Sequence, residues 1–190
     1  GIEYGTGPWM IWSNVSAQRT GDCKAGGNFG VVRNTFARNA TGRTGFGYFT
    51  KKAFATANFN YYQSRYGVPF DFFDPTSPLR SIKMHRGDLK FNFGLTDLAS
   101  FITGAKFTVD FSRYQHQEIE NVTVGTTFRN YVNSIRGILE QKKYAGVSGR
   151  FGFETYRRRF STIGDEVLVA GPVRQDSFAV FALEIGRAHV

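Results

Sequence analysis

The sequence predicts an all-β protein of antiparallel up-and-down strands, about nine of them, forming part of a large transmembrane β-barrel. Three features point there: apolar and polar residues alternate along several stretches, full charges sit on the polar side of those stretches, and tight turns alternate with longer connections. The chain has 190 residues, with 24 Lys and Arg against 15 Asp and Glu, and is 16% aromatic. Such a composition is too apolar for a disordered chain. No run approaches the roughly 18 apolar residues of a membrane helix. One cysteine, Cys23, beside three histidines is poor material for a disulfide framework or a structural zinc site.

Taken in chain order, the first alternation is weak and runs through Trp9, Ile11, Ser13 and Val15, followed by Phe46 and Tyr48. Ala53, Ala55, Ala57, Phe59 and Tyr61 then share one side. Leu89, Phe91, Phe93 and Leu95 alternate with Asp88, Lys90, Asn92 and Gly94, the signature of a strand with one apolar face. Phe107, Val109 and Phe111 repeat the pattern, as do Val147, Gly149, Phe151 and Phe153, and residues 176 to 185 carry a weaker copy. Between them, Phe128 to Leu139 fits both a helical and a strand template. Strand is expected, because Gly137 would cost a helix about 1 kcal/mol relative to Ala and no capping box precedes the segment. Thr50-Lys51-Lys52 and Lys142 to Gly146 read as tight connections; Arg65 to Met84, Glu118 to Thr123 and Ser161 to Arg174 read as longer ones.

Alternation does not say which side of the sheet is wet. In an outer-membrane barrel the apolar faces meet lipid and the polar faces line a watery lumen. In the alternative, a soluble all-β ligand- or carbohydrate-binding module, the same apolar faces form an internal core. Strands of about ten residues favour the barrel. So do aromatics near strand ends (Trp9, Trp12, Tyr48, Tyr61, Tyr62, Tyr114, Tyr131, Tyr144, Tyr156) and charges on the polar faces (Lys90, Asp110, Arg150, Glu154, Arg158). The formal charge is +9, and residues 1–95 hold 12 basic against five acidic residues, so most of the excess lies in that half.

Four short motifs stand in order along the chain: Tyr66-Gly67-Val68-Pro69, Tyr114-Gln115-His116-Gln117-Glu118, Val124-Gly125-Thr126-Thr127-Phe128-Arg129-Asn130, and Gly164-Asp165-Glu166. From Arg19 to Glu184 the sequence resembles the barrel portion of TonB-dependent outer-membrane receptors, nearest to the zinc- and haem-uptake subgroup. The resemblance implies a large barrel around an amino-terminal plug and an outer-membrane location. It also implies uptake of a scarce ligand (a metal, a metal chelate, haem or similar), energised through the TonB complex by way of the plug. Outer-membrane lipid and lipopolysaccharide are the implied surroundings. About nine strands cannot close so large a barrel, so residues 1–183 are expected to be a partial barrel. Residues 184–190 resemble the translation of a sequencing adapter and are expected to be a non-native tail.

His116, Glu118 and Glu120 are the candidate ligand-binding residues, expected on an outward-facing loop, since imidazole and carboxylate suit zinc or iron. The Arg65–Met84 connection adds Asp71 and Asp74 among Phe70, Phe72 and Phe73. No Ser-His-Asp order, carboxylate pair or nucleophile elbow points to an enzyme, and no cofactor is expected. Arg150 to Tyr156, followed by Arg157 to Arg159, resembles an RNA-binding strand, but that fold needs two helices, so nucleic acid is not expected. The arginines fit a barrel rim touching lipopolysaccharide phosphates.

Overall fold

The structure is a computed structural model and describes residues 1–28, 30–69, 76–166 and 168–186. Its strands, in chain order, are β1 (Ile2–Thr6), β2 (Trp9–Thr20), β3 (Cys23–Lys24), β4 (Val31–Val32), β5 (Ala37–Phe49), β6 (Ala53–Val68), β7 (Arg80–Leu95), β8 (Ile102–Glu120), β9 (Thr123–Gln141), β10 (Val147–Gly164) and β11 (Val173–Gly186). Nine of them form one antiparallel sheet in the order β1-β2-β5-β6-β7-β8-β9-β10-β11, and β3 with β4 makes a small separate hairpin. The all-β, up-and-down reading is therefore met. The ambiguous segment from Phe128 to Leu139 lies wholly within strand β9.

Three details differ from the sequence reading. The long strands are 16 to 19 residues rather than about ten. Their extra rungs carry polar residues on both sides, where hydropathy shows no period. The connection expected from Glu118 to Thr123 is only a two-residue hairpin at Asn121-Val122, because β8 continues to Glu120. Asn121 has φ 54, a left-handed conformation that Asn tolerates. Glu184, Ile185 and Gly186 continue β11 opposite Gly149, Ser148 and Val147, so the expected tail begins inside the sheet. Residues 187–190 lie outside the described residues, as do Phe70, Asp71, Phe72, Phe73 and Asp74.

Register converts the alternation into two unlike faces. One rung runs from edge to edge through Tyr4, Ile11, Phe46, Ala57, Phe91, Val109, Ile135, Thr155 and Phe178. Neighbouring rungs on that face add Phe93, Phe107 and Phe153 on one side, and Phe59, Leu89 and Phe111 on the other. From Ala53 to Tyr61 this band covers nine residues, within the roughly 9–11 that a tilted strand needs to cross a bilayer. Trp9 and Tyr48, with ring centroids 4.4 Å apart, stand toward one border. Tyr61 and Tyr131 share a rung at the other. Trp12, Tyr62, Tyr114 and Tyr156 instead belong to the opposite face, so the predicted aromatic set divides between the two.

That opposite face is polar and cross-linked. Lys90 Nζ lies 3.2 Å from Asp110, Arg150 2.9 Å from Glu140, and Arg136 3.7 Å from Glu154. Asp88 accepts from Ser112 Oγ at 2.7 Å, Arg86 Nε at 2.8 Å and Asn60 Nδ2 at 3.1 Å. Lys90, Asp110, Arg150, Glu154 and Arg158 all lie on this face, as their alternation predicts. Such exposed pairs are worth about 0–1 kcal/mol each and fix register more than they add stability.

No second layer covers the apolar face among the described residues. Phe128 is the one buried apolar side chain among them, whereas Phe93, Phe107 and Ile135 are more than two-fifths exposed. A compact protein of this mass exposes about 9,100 Å², yet this chain exposes 13516 Å². The internal core that a self-contained sandwich needs is not formed by these residues.

Candidate functional site

Beyond the rung of Tyr61 and Tyr131 the strands continue for several more residues, past the apolar band, toward the end where most of the longer connections lie. A cavity of about 330 Å³ opens on the polar face at this projecting end. All four sequence motifs reach it: Val68 from the first, Glu118 from the second, Gly125 and Thr126 from the third, and Asp165 and Glu166 from the fourth. Residues nearly 100 positions apart in sequence thus line one cavity.

The cavity is held together by backbone geometry. β8 and β9 are in register from Glu118 opposite Thr126, then slip so that Ile119 faces Val124, leaving Gly125 as an extra residue. Its carbonyl accepts the Asp165 amide at 3.1 Å, and Thr126 Oγ1 accepts the Glu166 amide at 3.0 Å. Gly164 makes this turn with φ 134, and a Cβ there would press on the Gly125 carbonyl and the Thr126 Cα. On the far wall Asn34, itself at φ 62, donates through Nδ2 to the carbonyls of Val68 and Arg80, both at 2.6 Å. The tip of the β6–β7 pair is thereby tied to the 21–36 connection.

The predicted residues reach different fates here. His116, Glu118 and Glu120 stand at alternate positions of strand β8, on one face, and not on a loop. His116 lies one rung short of the cavity. Its ring stacks on Phe128 at 4.3 Å, and Nδ1 sits 3.0 Å from the Tyr114 hydroxyl. Burial lowers its pKa from the ordinary 6.5 and so favours the neutral ring. Glu120 is paired with Arg80 at 2.8 Å. Glu118 faces the cavity; burial first, then Glu166 and Glu120, raise its pKa above 4.5, against an opposing pull from Arg80. The three do not converge: among the described residues no group of three or more His, Cys, Asp or Glu is placed to hold a metal ion. Cys23 is exposed and unpaired.

Arg80 has no sequence signal and was not anticipated. Thr126, only 2% exposed, and the Asp165-Glu166 pair were visible solely as motif positions. Carboxylates from Glu118, Asp165 and Glu166 around one arginine make the cavity attractive to a cationic or hydrogen-bond-donating group.

No family model matches this chain, and no curated protein matches it.

Proposed function

We propose that the nine-stranded sheet is an arc of a large outer-membrane β-barrel of the TonB-dependent receptor type. Its work is the energised uptake of a scarce ligand: a metal ion, a metal chelate, haem or a comparable molecule. One observation carries the membrane reading, namely the apolar face that stays uncovered across all nine strands and is backed by a charged, cross-linked polar face. Lipid on the first face and a watery lumen on the second satisfy both. The receptor reading is supported by the four motifs that resemble the family and meet around one acidic cavity at the projecting strand ends.

In this account the strands position the cavity and no bond is made or broken. Ligand is captured at the projecting end, Glu118 and its neighbours contribute contacts, and passage requires a plug and TonB that other parts of such a receptor supply. The full-length protein containing these strands tests the reading. It should enter the outer-membrane fraction and migrate differently on a gel before and after boiling. A strain lacking it should grow poorly when metal or haem is limiting. Recovery as a soluble monomer overturns the barrel, and unchanged growth across metal and haem limitation overturns the uptake role.

A further inference from the structure

Among the described residues lining the acidic cavity Arg80 is the one cation, and its place is set from outside that cavity. On one side Asn34 Nδ2 donates to the Arg80 carbonyl and to the Val68 carbonyl, both at 2.6 Å. On the other side the Asn121 amide donates to the Leu79 carbonyl at 2.7 Å, and the Leu79 amide donates to Asn121 Oδ1 at 3.2 Å. Residues 79 and 80 are thus held between two left-handed asparagines, with φ 62 at Asn34 and φ 54 at Asn121. Asn121 is a near neighbour in the sheet, in the turn between β8 and β9. Asn34 is not: it stands 46 positions before Arg80, in the 21–36 connection.

That connection reaches the cavity as a braced unit. Thr35 Oγ1 accepts the Cys23 amide at 2.6 Å and donates to the Val32 carbonyl at 2.9 Å, while the Thr35 amide donates to Asp22 Oδ1 at 2.9 Å. These bonds seat the β3–β4 hairpin on the residue next to Asn34. The Phe36 carbonyl then accepts the Gly67 amide at 3.0 Å. Gly67, in the first of the four motifs, lets the two segments approach, because a Cβ there would press on the Asn34 carbonyl and Oδ1. An asparagine suits the post for two reasons. It tolerates a left-handed backbone, and its amide group offers two donors, one for each carbonyl of the last β6–β7 rung, where Val68 faces Arg80. The Arg80 side chain carries the link onward: its Nε lies 2.8 Å from Glu120, which lines the cavity with Glu118, Asp165 and Glu166.

We infer that Asn34 is a positioning residue of the ligand cavity: through the Val68 and Arg80 carbonyls it fixes the end of the β6–β7 pair, keeps Arg80 beside the carboxylates, and makes the β3–β4 hairpin a rigid neighbour of the site. The inference rests on the role in ligand capture proposed above for this cavity. Without the clasp the last rung frays, and the ligand must order that part of the wall as it binds. Capture then weakens, while the steps after capture keep their rate.

The test uses the full-length protein, with its outer-membrane partitioning checked first. Asn34→Gly keeps a residue that accepts φ 62 and removes the donor. Gly67→Ala disturbs the same clasp from the opposite strand, and Gly26→Ala, in the same connection with open space around it, is the control. Nitroxides on Lys24→Cys and Val122→Cys in a Cys23→Ser background report the distance from the hairpin to the β8–β9 turn in detergent. The native protein and Gly26→Ala should give one narrow distance, Asn34→Gly and Gly67→Ala a broad one. Whole-cell uptake, with zinc and separately haem as probes, should show a half-saturating concentration about fivefold higher for Asn34→Gly, the scale of one or two lost hydrogen bonds, with the maximal rate unchanged. A narrow distance in Asn34→Gly overturns the inference. So does an unchanged half-saturating concentration, or a fall in maximal rate alone. Uptake of neither probe by the native protein contradicts the uptake role instead, and the distance measurement then decides the clasp by itself, so the two failures are separable.

Discussion

Thr126 and Glu166, 40 residues apart in sequence, are joined by a single hydrogen bond of 3.0 Å from the Glu166 amide to the Thr126 hydroxyl. Thr126 is only 2% exposed. The bond seats the start of the 165–172 connection on the end of β9 and holds Asp165 and Glu166 in the lining of the acidic cavity.

Thr126→Val keeps the shape and removes the acceptor. It should cost about 1–3 kcal/mol, the range for a donor left without its partner, and should speed hydrogen exchange at Glu166. Thr126→Ser should restore both. Urea midpoints of the protein in detergent, with exchange followed by mass spectrometry, check this.

His116 should titrate below 6.5, because burial beside Phe128 disfavours the charged ring. The sign follows: a group whose folded pKa is depressed contributes stability that is present above its unfolded value and lost as pH falls through the folded one. Opening the stack with Phe128→Ala should move the midpoint up toward 6.5. Histidine resonances followed by NMR across pH 4–8 measure it; a native midpoint at or above 6.5 counts against the packing described.

Glu118 behaves in the opposite sense. Its carboxyl is raised above 4.5, so the charged form opposes folding. Glu118→Gln should therefore stabilise the protein slightly at pH 7, with the difference vanishing as pH falls below 4.5, where the carboxyl is protonated in both folded and unfolded chains. Thermal midpoints of the two proteins at pH 4 and pH 7 give the comparison.

Much of the sheet was legible because Leu89-Phe91-Phe93 and Phe107-Val109-Phe111 obey a period that only a strand satisfies, and because Gly137 disfavours a helix through β9. Strand length was not. Past Tyr61 the residues continuing the apolar face are Gln63 and Arg65 and those continuing the polar face are Tyr62 and Ser64, so hydropathy no longer distinguishes the sides although hydrogen bonding continues. The two-residue turn at Asn121 was hidden for the same reason: Glu118 and Glu120 look like loop residues until Arg80 is found opposite Glu120. The motifs were visible singly. Their meeting depends on the slip at Gly125 and the turn at Gly164, which are properties of register and no local pattern encodes them. The Asn34 clasp was invisible because Asn34 and Arg80 stand 46 positions apart and meet only in the folded chain.

Nitroxide scanning of strand β7 in lipid bilayers tests the central claim most directly, with Cys23→Ser and a labelled cysteine placed in turn at each position from Asp88 to Leu95. Leu89, Phe91, Phe93 and Leu95 should be reached by oxygen dissolved in lipid, and Asp88, Lys90 and Asn92 by a water-soluble nickel chelate, in strict alternation. Odd positions shielded from both reagents, as in a packed protein core, would contradict it.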